Sequence, residues 1–316
     1  MRIAFVGMGS IGKRHFRNVC TYLEERGEPC SVDLFRSGHG GRLDSDFAGK
    51  IRKEFMQGDE IPDKYDAVFI TNPTSMHYET LRRFASAASA VFMEKPVFHT
   101  PDVDLGQLNL AENGIYYVAC PLRYHPVLQY VWENVPCREA YGAQALCSSY
   151  LPDWRPGTDY RLCYSARREM GGGVDIDLIH EWDYLTWLFG PVKNGFALRD
   201  RVSDLEIDSC DIAAYLARTE RAVLELHLDY FGRKSLRQLR IFLPEDTVDC
   251  DLLAGTVQWQ ASGKHLEFDN QRDGYQMAEI RHFFDIAEGR CPNDNTIPAA
   301  LRTLRYARGE FPEYPE

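Results

Sequence analysis

The stretch Ile3-Ala4-Phe5-Val6-Gly7-Met8-Gly9-Ser10-Ile11-Gly12 decides the fold of the N-terminal part of this chain. Its four apolar residues predict a short buried strand, and residues 13–26 predict a helix. A strand, Gly-x-Gly-x-x-Gly and a helix in this order are the fingerprint of a dinucleotide-binding turn. The first glycine permits the turn, the second allows a pyrophosphate to approach, and the third allows close packing of helix on strand. We therefore predict a diphosphate site at the helix N-terminus, formed by Gly7, Gly9, Ser10, Ile11 and Gly12.

Bulk composition is typical of a two-domain globular enzyme. The 316 residues exceed one ordinary domain, and 36 basic against 47 acidic side chains give a net charge of −11, which disfavours nucleic acid as a partner. No apolar run approaches membrane-spanning length, and the chain enters a strand directly after Met1, so we expect no signal peptide and a cytoplasmic protein. The nine cysteines include no Cys-x-x-Cys pair, which predicts a reducing compartment and no metal site.

Hydrophobic patterning divides the chain into two domains. In the first half, strands predicted at 3–6, 31–35, 67–71, 90–94 and 115–119 alternate with helices, which indicates a parallel sheet covered on both faces. In the second half, strands predicted at 143–150, 211–216, 222–229, 239–243 and 257–259 follow one another without long helices between them, which indicates a mainly antiparallel sheet. We predict an α/β fold with a dinucleotide-binding domain at 1–122 and a second domain at 123–316. The sequence does not decide on which of the two domains the helix predicted at 277–288 packs.

The end of the second strand bears on the choice of nicotinamide cofactor. Arg36 and Ser37 follow this strand, whereas Asp33 lies in its middle, too early for a ribose-binding carboxylate. A guanidinium and a hydroxyl suit a 2′-phosphate, so we predict a preference for NADP over NAD. The alternative, that Arg36 only stacks on the adenine, leaves NAD open.

Three further motifs follow in order along the chain: Thr71-Asn72-Pro73-Thr74-Ser75-Met76-His77, Glu94-Lys95-Pro96 and Gly171-Gly172-Gly173-Val174-Asp175-Ile176-Asp177-Leu178-Ile179-His180. Together with the N-terminal glycines, they resemble the glucose–fructose oxidoreductase / inositol dehydrogenase (Gfo/Idh/MocA) family over essentially the whole chain. The resemblance implies a Rossmann domain followed by an α+β domain with an open, mainly antiparallel sheet for substrate binding and oligomerisation. It also implies hydride transfer between NAD(P) and a secondary alcohol or ketone of a sugar, sugar acid, nucleotide sugar or cyclitol, in a homodimer or homotetramer.

The resemblance also implies the roles of particular residues. Lys95, Asp177 and His180 are predicted at the catalytic centre, and the predicted cofactor contacts are Thr71, Asn72, Pro73, His77, Glu94 and Lys95. A histidine can accept the hydroxyl proton and a lysine can stabilise the alkoxide. The histidine follows the aspartate by three positions rather than the commoner four, and Glu181 takes the fourth, so the base is left open between His180 and Glu181. Taken singly, the aspartates can simply favour a helix dipole, and His77 can cap its helix.

A segment rich in aromatic and basic residues, 154–161, precedes the glycine-rich motif. Its arginines suggest an anionic sugar derivative as substrate, with the alternative that they pair with surface acids. The predicted substrate-binding residues are Arg123, Arg161, Tyr164 and Glu181. Two other functions stay open for the same fold: a redox-neutral glycosidase that recycles a bound NAD, and a non-catalytic nucleotide-binding regulator.

Overall fold

The computed structural model describes residues 1–29, 31–38, 45–56, 58–62 and 64–312. The chain forms two compact units, Met1–Ala119 with Gln276–Leu301, and Cys120–Tyr275 with Arg302–Glu316. The chain therefore leaves the first unit near residue 122, the predicted boundary. It returns to the first unit at Gln276, so each unit consists of two segments of the chain.

The first unit contains a six-stranded parallel sheet in the order β3-β2-β1-β4-β5-β6. Its strands are β1 (Ile3–Val6), β2 (Val32–Arg36), β3 (Ile51–Met56), β4 (Tyr65–Ile70), β5 (Ala88–Met93) and β6 (Ile115–Val118). The helices between them are α1 (Ser10–Glu25), α2 (Ser45–Ala48) and α3 (His77–Phe84). The central strands are continuous apolar runs because a parallel sheet with helices on both faces buries both sides of each strand.

The second unit contains an eight-stranded sheet in the order β14-β13-β12-β11-β7-β10-β9-β8. All neighbours are antiparallel except β7 and β10, which pair in parallel. The strands are β7 (Gly142–Tyr150), β8 (Asn194–Asp200), β9 (Ile212–Arg218), β10 (Val223–Asp229), β11 (Phe231–Phe242), β12 (Thr247–Asp251), β13 (Thr256–Trp259) and β14 (His265–Glu267). The helices α4 (Pro126–Asn134), α5 (Val174–Asp177) and α6 (His180–Phe189) precede β8. The predicted α/β class and the mainly antiparallel second sheet are confirmed.

Two helices close the described chain, α7 (Arg272–Ala287) and α8 (Ile297–Ala307). Aromatic residues of α7 pack on the parallel sheet: the Phe283 ring meets Phe69 at 5.3 Å and Phe92 at 5.4 Å, edge to face. Phe284 stacks on Tyr22 of α1 at 4.5 Å. The sequence left this helix open between the domains, and its aromatic face places it in the core of the first unit.

The antiparallel sheet has one buried and one exposed face. On the buried face, Trp182 of α6 packs edge-on against Tyr215 of β9 with ring centres 5.2 Å apart. On the opposite face, Phe196, Leu198 and Leu216 are 73%, 58% and 49% exposed. Phe196 and Leu216 are register partners on β8 and β9, so these side chains form one contiguous apolar patch.

A buried histidine links the stability of the second unit to pH. His125 precedes α4, where its Nδ1 accepts a hydrogen bond from the backbone N–H of Val127 at 3.3 Å. The ring is 3% exposed, and burial lowers its pKa from 6.5 to about 4. Between these values the unfolded chain binds the proton and the folded chain does not, so the free energy of unfolding falls as the pH is lowered through this window.

We expect His125 to remove about 3 kcal/mol of stability as the pH falls from about 7 to 4. His125→Gln is expected to flatten the dependence of the urea midpoint on pH between about 7 and 4.5, because glutamine does not titrate. His265→Gln, at an exposed position of β14, is the control and should leave the wild-type slope. An unchanged slope in His125→Gln would contradict this account.

Candidate active site

The glycine turn after β1 brings two backbone segments close together. Gly7 has a φ of +95°, and a Cβ at this position would lie 2.7 Å from the backbone nitrogen of Asn72. A Cβ on Gly12 would lie 2.7 Å from Oγ1 of Thr71 and 2.8 Å from the carbonyl oxygen of Gly7. Side chains at either glycine would therefore push the turn away from the end of β4.

Gly9 faces open space among the described residues, since an added Cβ would meet none of their atoms within 4 Å. It is the N-cap of α1, whose first turn has no side-chain cap and no acidic residue. Ser10 and Ile11 begin this 16-residue helix, so backbone amides and the positive end of the helix dipole face outward here. The turn and helix end fit the diphosphate of a dinucleotide.

The carboxylate of Asp33 in β2 is hydrogen-bonded to side chains of the first unit. Asp33 is 1% exposed and accepts hydrogen bonds from both Nε and Nη2 of Arg52 and from the Tyr65 hydroxyl at 2.9 Å. Burial and the hydrogen bond to Asp33 raise the pKa of Tyr65 well above its usual value. Asp33 is therefore part of a buried polar cluster and is not presented to a ribose.

The end of β2 presents an arginine. Arg36 lies with Nη1 3.2 Å from Glu54 Oε2 on the neighbouring strand β3, and its side chain is 18% exposed. The next residue, Ser37, is exposed. A guanidinium, a hydroxyl and a nearby carboxylate thus stand where the sequence predicts recognition of the adenosine ribose.

The loop after β4 is held by its own side chains. Thr71 Oγ1 donates to the carbonyl oxygen of Gly7 at 2.9 Å, and Asn72 Nδ2 donates to Thr80 Oγ1 at 2.8 Å. Asn72 Oδ1 is buried and has no hydrogen-bond partner among the described residues. Pro73 starts a short 3₁₀ turn that leads into α3. An unpaired acceptor beside the glycine turn fits a hydroxyl or amide donor from a bound cofactor.

His77 is enclosed by backbone carbonyls. Its ring is 1% exposed, with Nε2 3.0 Å from the Asn72 oxygen and Nδ1 3.0 Å from the Pro96 oxygen and 3.3 Å from that of Val97. Burial lowers the pKa of His77, so the neutral ring is favoured at pH 7. The nitrogens of His77 therefore connect the loops after β4 and β5.

Glu94, Lys95 and Pro96 directly follow β5, and the Lys95–Pro96 peptide is cis. Glu94 is 9% exposed, and its Oε2 accepts a hydrogen bond from the backbone nitrogen of Lys95 at 3.1 Å. The Lys95 side chain is half-buried. These residues stand at the carboxyl ends of the parallel strands, where open α/β sheets bind their ligands.

In the second unit, the glycine-rich motif leads into α5. Asp175 is fully buried, and its Oδ2 lies 2.8 Å from Arg199 and 2.9 Å from Arg308. Its Oδ1 accepts from the Cys210 thiol at 3.0 Å, and burial raises the pKa of that thiol to about 12. Two arginines from distant parts of the unit thus neutralise Asp175, which identifies it as a structural carboxylate.

Asp177 accepts hydrogen bonds from two tyrosines. The hydroxyl of Tyr230 donates to Oδ2 at 2.5 Å, and the hydroxyl of Tyr164 donates to Oδ1. Burial and the charge of Asp177 raise the pKa of both tyrosines well above the usual value, so both hydroxyls stay protonated as donors. Tyr164 is 39% exposed, whereas Tyr230 is fully buried against the ring edge of Trp154. The sequence analysis missed Tyr230, which lies in no motif and reaches Asp177 across 53 positions.

His180 and Glu181 begin α6 but have different surroundings. His180 is half-buried, whereas Glu181 is fully buried, and its Oε1 accepts from Arg237 Nε of β11 at 2.7 Å. Within the described residues, Glu181 Oε2 and the hydroxyl of Tyr184 are buried without a hydrogen-bond partner. Burial opposes the charge of Arg237, but Glu181 and its other neighbours raise the pKa of this arginine above its usual value. The salt bridge between Glu181 and Arg237 connects α6 to β11 of the antiparallel sheet.

The predicted substrate-binding arginines already have carboxylate partners. Arg123 is 6% exposed and binds Asp183 through Nε at 2.9 Å and Nη2 at 2.7 Å. Arg161 is exposed and pairs with Asp159 at 2.8 Å and with Glu206 at 3.0 Å. These contacts give Arg123 a role in the packing of α6 and Arg161 a role in a surface ion-pair network.

Within the described residues, no group of three or more histidine, cysteine, aspartate or glutamate side chains is arranged to hold a metal ion. No described helix is both long enough and apolar enough to cross a membrane. Of the described cysteines, Cys20 is disulfide-bonded, and the free thiols are Cys120, Cys137, Cys147, Cys163, Cys210, Cys250 and Cys291.

Comparison with solved structures confirms the fold. UDP-N-acetylglucosamine 3-dehydrogenase GnnA from Acidithiobacillus ferrooxidans is 19% identical, with a TM-score of 0.76 over 98% of this chain and 96% of that chain. A levoglucosan dehydrogenase in complex with NADH and L-sorbose is 16% identical, with a TM-score of 0.80 over 98% and 95%. The WlbA dehydrogenase from Bordetella pertussis in complex with NADH and UDP-GlcNAcA is 18% identical, with a TM-score of 0.78 over 100% and 99%.

Sequence comparison agrees for the N-terminal part. A parallel sheet with a glycine turn at the start of a helix is the arrangement found in dinucleotide-binding domains. Residues 1–107 match the family described as oxidoreductase family, NAD-binding Rossmann fold (GFO_IDH_MocA). Uncharacterized oxidoreductases from Synechocystis and Bacillus subtilis are 30% identical over 131 residues and 25% identical over 188 residues, which are 40% and 58% of this chain. The chain aligns with 35% and 52% of their lengths.

Proposed function

We propose that this protein is an NAD(P)-dependent oxidoreductase that transfers a hydride between nicotinamide and a secondary alcohol or ketone of a sugar derivative. The glycine turn, with Gly9 open to solvent at an uncapped helix end, carries the proposal. The dehydrogenases among the structural neighbours, which act on sugars by their names, support the substrate class. When bound, the nicotinamide supplies the hydride chemistry, and the residues of this chain supply orientation and proton transfer.

We assign the proton transfer to His180 and stabilisation of the alkoxide to Lys95. The burial of Glu181 supports His180 as the base, because Glu181 is fully buried against Arg237 and His180 is partly exposed. Asp177, held by two tyrosine hydroxyls, is assigned to orient the substrate or the base beside Tyr164. Accordingly, Glu181→Gln should retain far more turnover than His180→Asn, if both variants fold.

The function is tested by following nicotinamide absorbance with NADP⁺ and NAD⁺ over a panel of neutral sugars, cyclitols, sugar acids and nucleotide sugars. The reverse direction is followed with NADPH, NADH and the corresponding ketones. Turnover with one class supports the proposal and identifies the substrate. Cofactor binding without turnover in either direction, together with hydrolysis of a glycoside at constant cofactor redox state, would contradict it in favour of the glycosidase.

We propose that NADP(H) is the preferred cofactor, because Arg36 ends β2 and Asp33 is enclosed by Arg52 and Tyr65. Arg36→Asp is expected to weaken NADPH binding by about tenfold to a hundredfold relative to NADH, since a carboxylate repels a 2′-phosphate. Glu54→Gln should strengthen NADPH binding, because it removes a carboxylate that competes for Arg36. Dissociation constants from nicotinamide fluorescence measure both effects, and an unaltered NADPH/NADH ratio in Arg36→Asp would rule out the preference.

We propose that the exposed apolar patch on β8 and β9 forms the contact between copies in a homodimer or homotetramer. A sheet face with Phe196, Leu198 and Leu216 exposed is stabilised when a second apolar surface covers it. The double variant Phe196→Glu/Leu216→Glu should sediment as a smaller species than the wild type. The control is Leu253→Glu, at an exposed leucine in the turn after β12, which should leave the assembly unchanged. Sedimentation of the double variant as the wild type would exclude this patch.

A further inference from the structure

A buried histidine contacts the carboxylate that precedes Lys95. His15 lies in the second turn of α1 and is 1% exposed. Its Nε2 is 2.5 Å from Oε1 of Glu94, which directly follows β5. His15 thus connects α1, the helix that follows the glycine turn, to the end of β5.

The same carboxylate also binds the main chain at Lys95. Glu94 Oε2 accepts from the Lys95 backbone nitrogen at 3.1 Å, and the Glu94 backbone nitrogen donates to the Ile70 oxygen at 2.9 Å. Glu94 is therefore held by β4 through its backbone and by α1 through its side chain. One carboxylate thus connects the helix of the glycine turn to the peptide group from which the Lys95 side chain emerges.

The surroundings of His15 select one tautomer. Its Nδ1 is buried without a hydrogen-bond partner among the described residues, and the ring lies edge-on to Phe92 at 4.9 Å. In the neutral ring, the proton must be on Nε2, because two acceptors would otherwise face each other. Burial opposes the charge of Glu94, yet the hydrogen bond from His15 and the nearby positive charges lower its pKa below the usual value. The carboxylate therefore stays ionised and accepts on both oxygens.

Packing alone does not explain a histidine at this position. A phenylalanine would fill a similar volume beside Phe92. It would also avoid the cost of burying a ring nitrogen that has no hydrogen-bond partner among the described residues. The histidine instead supplies a donor to a buried carboxylate, and a charge-assisted hydrogen bond is stronger than a neutral one. The hydrogen bond to Glu94 therefore explains why a polar ring is buried at this position.

We infer that His15 is a positioning residue, which acts through the Glu94 carboxylate to hold the main chain of Lys95 relative to the glycine turn. The inference rests on the proposed role of Lys95. Hydride and proton transfer depend on reacting groups placed within a fraction of an ångström, so a loosened peptide at Lys95 should slow turnover more than it weakens cofactor binding.

Two variants separate positioning from packing. His15→Phe retains an aromatic ring and removes the donor, whereas His15→Gln retains an N–H donor that can reach Glu94. Hydrogen exchange in the protein without cofactor should be about tenfold faster at the amides of Glu94 and Lys95 in His15→Phe and near the wild-type rate in His15→Gln. Faster exchange throughout α1, without rescue by glutamine, would indicate a packing role and overturn the inference. If His15→Phe does not fold, His15→Asn, which is too short to reach Glu94, replaces it.

Kinetics with the substrate found in the panel supply the second test. His15→Phe is expected to lower kcat by about tenfold to a hundredfold and to change the dissociation constant of NADPH by less than about threefold, with recovery in His15→Gln. Lys95→Met is measured in parallel. If Lys95→Met is inactive and His15→Phe has wild-type kcat, only this inference fails. If Lys95→Met retains wild-type turnover, the proposed role of Lys95 fails, and this inference fails with it.

Discussion

Replacing Lys95 with methionine is expected to lower kcat by about 10²-fold to 10³-fold, which is the effect of removing one donor from a developing oxyanion. Methionine has a similar length and fills a similar volume without a charge, so the loop after β5 should keep its path. The dissociation constant of NADPH, measured by fluorescence, should change by less than about fivefold, because the diphosphate is assigned to the glycine turn. Turnover with the panel substrate gives kcat.

The matched control is Lys64→Met, which removes an exposed lysine of the same unit. It should leave both kcat and NADPH affinity at wild-type values. A Lys95→Met variant with wild-type kcat would refute the role proposed for this lysine. A proportionate loss of kcat and NADPH affinity would instead make Lys95 a cofactor-binding residue.

The second large effect is expected at Arg237. Arg237→Met should lower the free energy of unfolding by about 3–5 kcal/mol, because it leaves Glu181 charged and fully buried without its partner. Within the described part of the chain, Glu181 Oε2 has no hydrogen-bond partner, and the other donor near this carboxylate is the thiol of Cys147, which is a weak donor. Thermal unfolding followed by circular dichroism should show a decrease in Tm of about 10 °C.

The double variant Glu181→Gln/Arg237→Met tests the cause. It removes both charges and should recover a large part of the lost stability, since the cost lies in the unpaired charge rather than in lost packing. Arg240→Met, on the same strand, removes an exposed arginine that pairs with Asp249, and it should leave Tm nearly unchanged. A double variant as unstable as Arg237→Met would contradict the ionic explanation.

The surroundings of some predicted residues could not be read from the sequence. The sequence placed His77 after β4 and Arg123 after β6, yet it did not indicate that backbone carbonyls surround the first or that Asp183 pairs with the second. Such partners are 5 to 60 positions away in sequence, and no local pattern specifies them. The same limit applies to Tyr230, which binds Asp177 from the junction of β10 and β11.

Elements without strong hydrophobic patterning were also missed. The sequence analysis predicted no strand at β3 or β8, where most side chains are exposed and the residues are largely polar or mixed. These strands form because they pair with β2 and β9, so their conformation is a consequence of the sheet. Similarly, only packing of Phe283 and Phe284 assigns α7 to the first unit.

The sequence by itself determined the parallel sheet, the glycine turn and the order of the motifs, because these depend on local rules: apolar runs, glycine at positive φ and free amides at a helix start. The tertiary structure alone decided the partners and the accessibility of the candidate groups. Distant partners pair Glu181 with Arg237, enclose His77, pair Asp175 with two arginines and connect His15 to Glu94. The physical reason is that electrostatic energies depend on solvent exposure and on charges brought together by the fold, which separation along the chain does not encode.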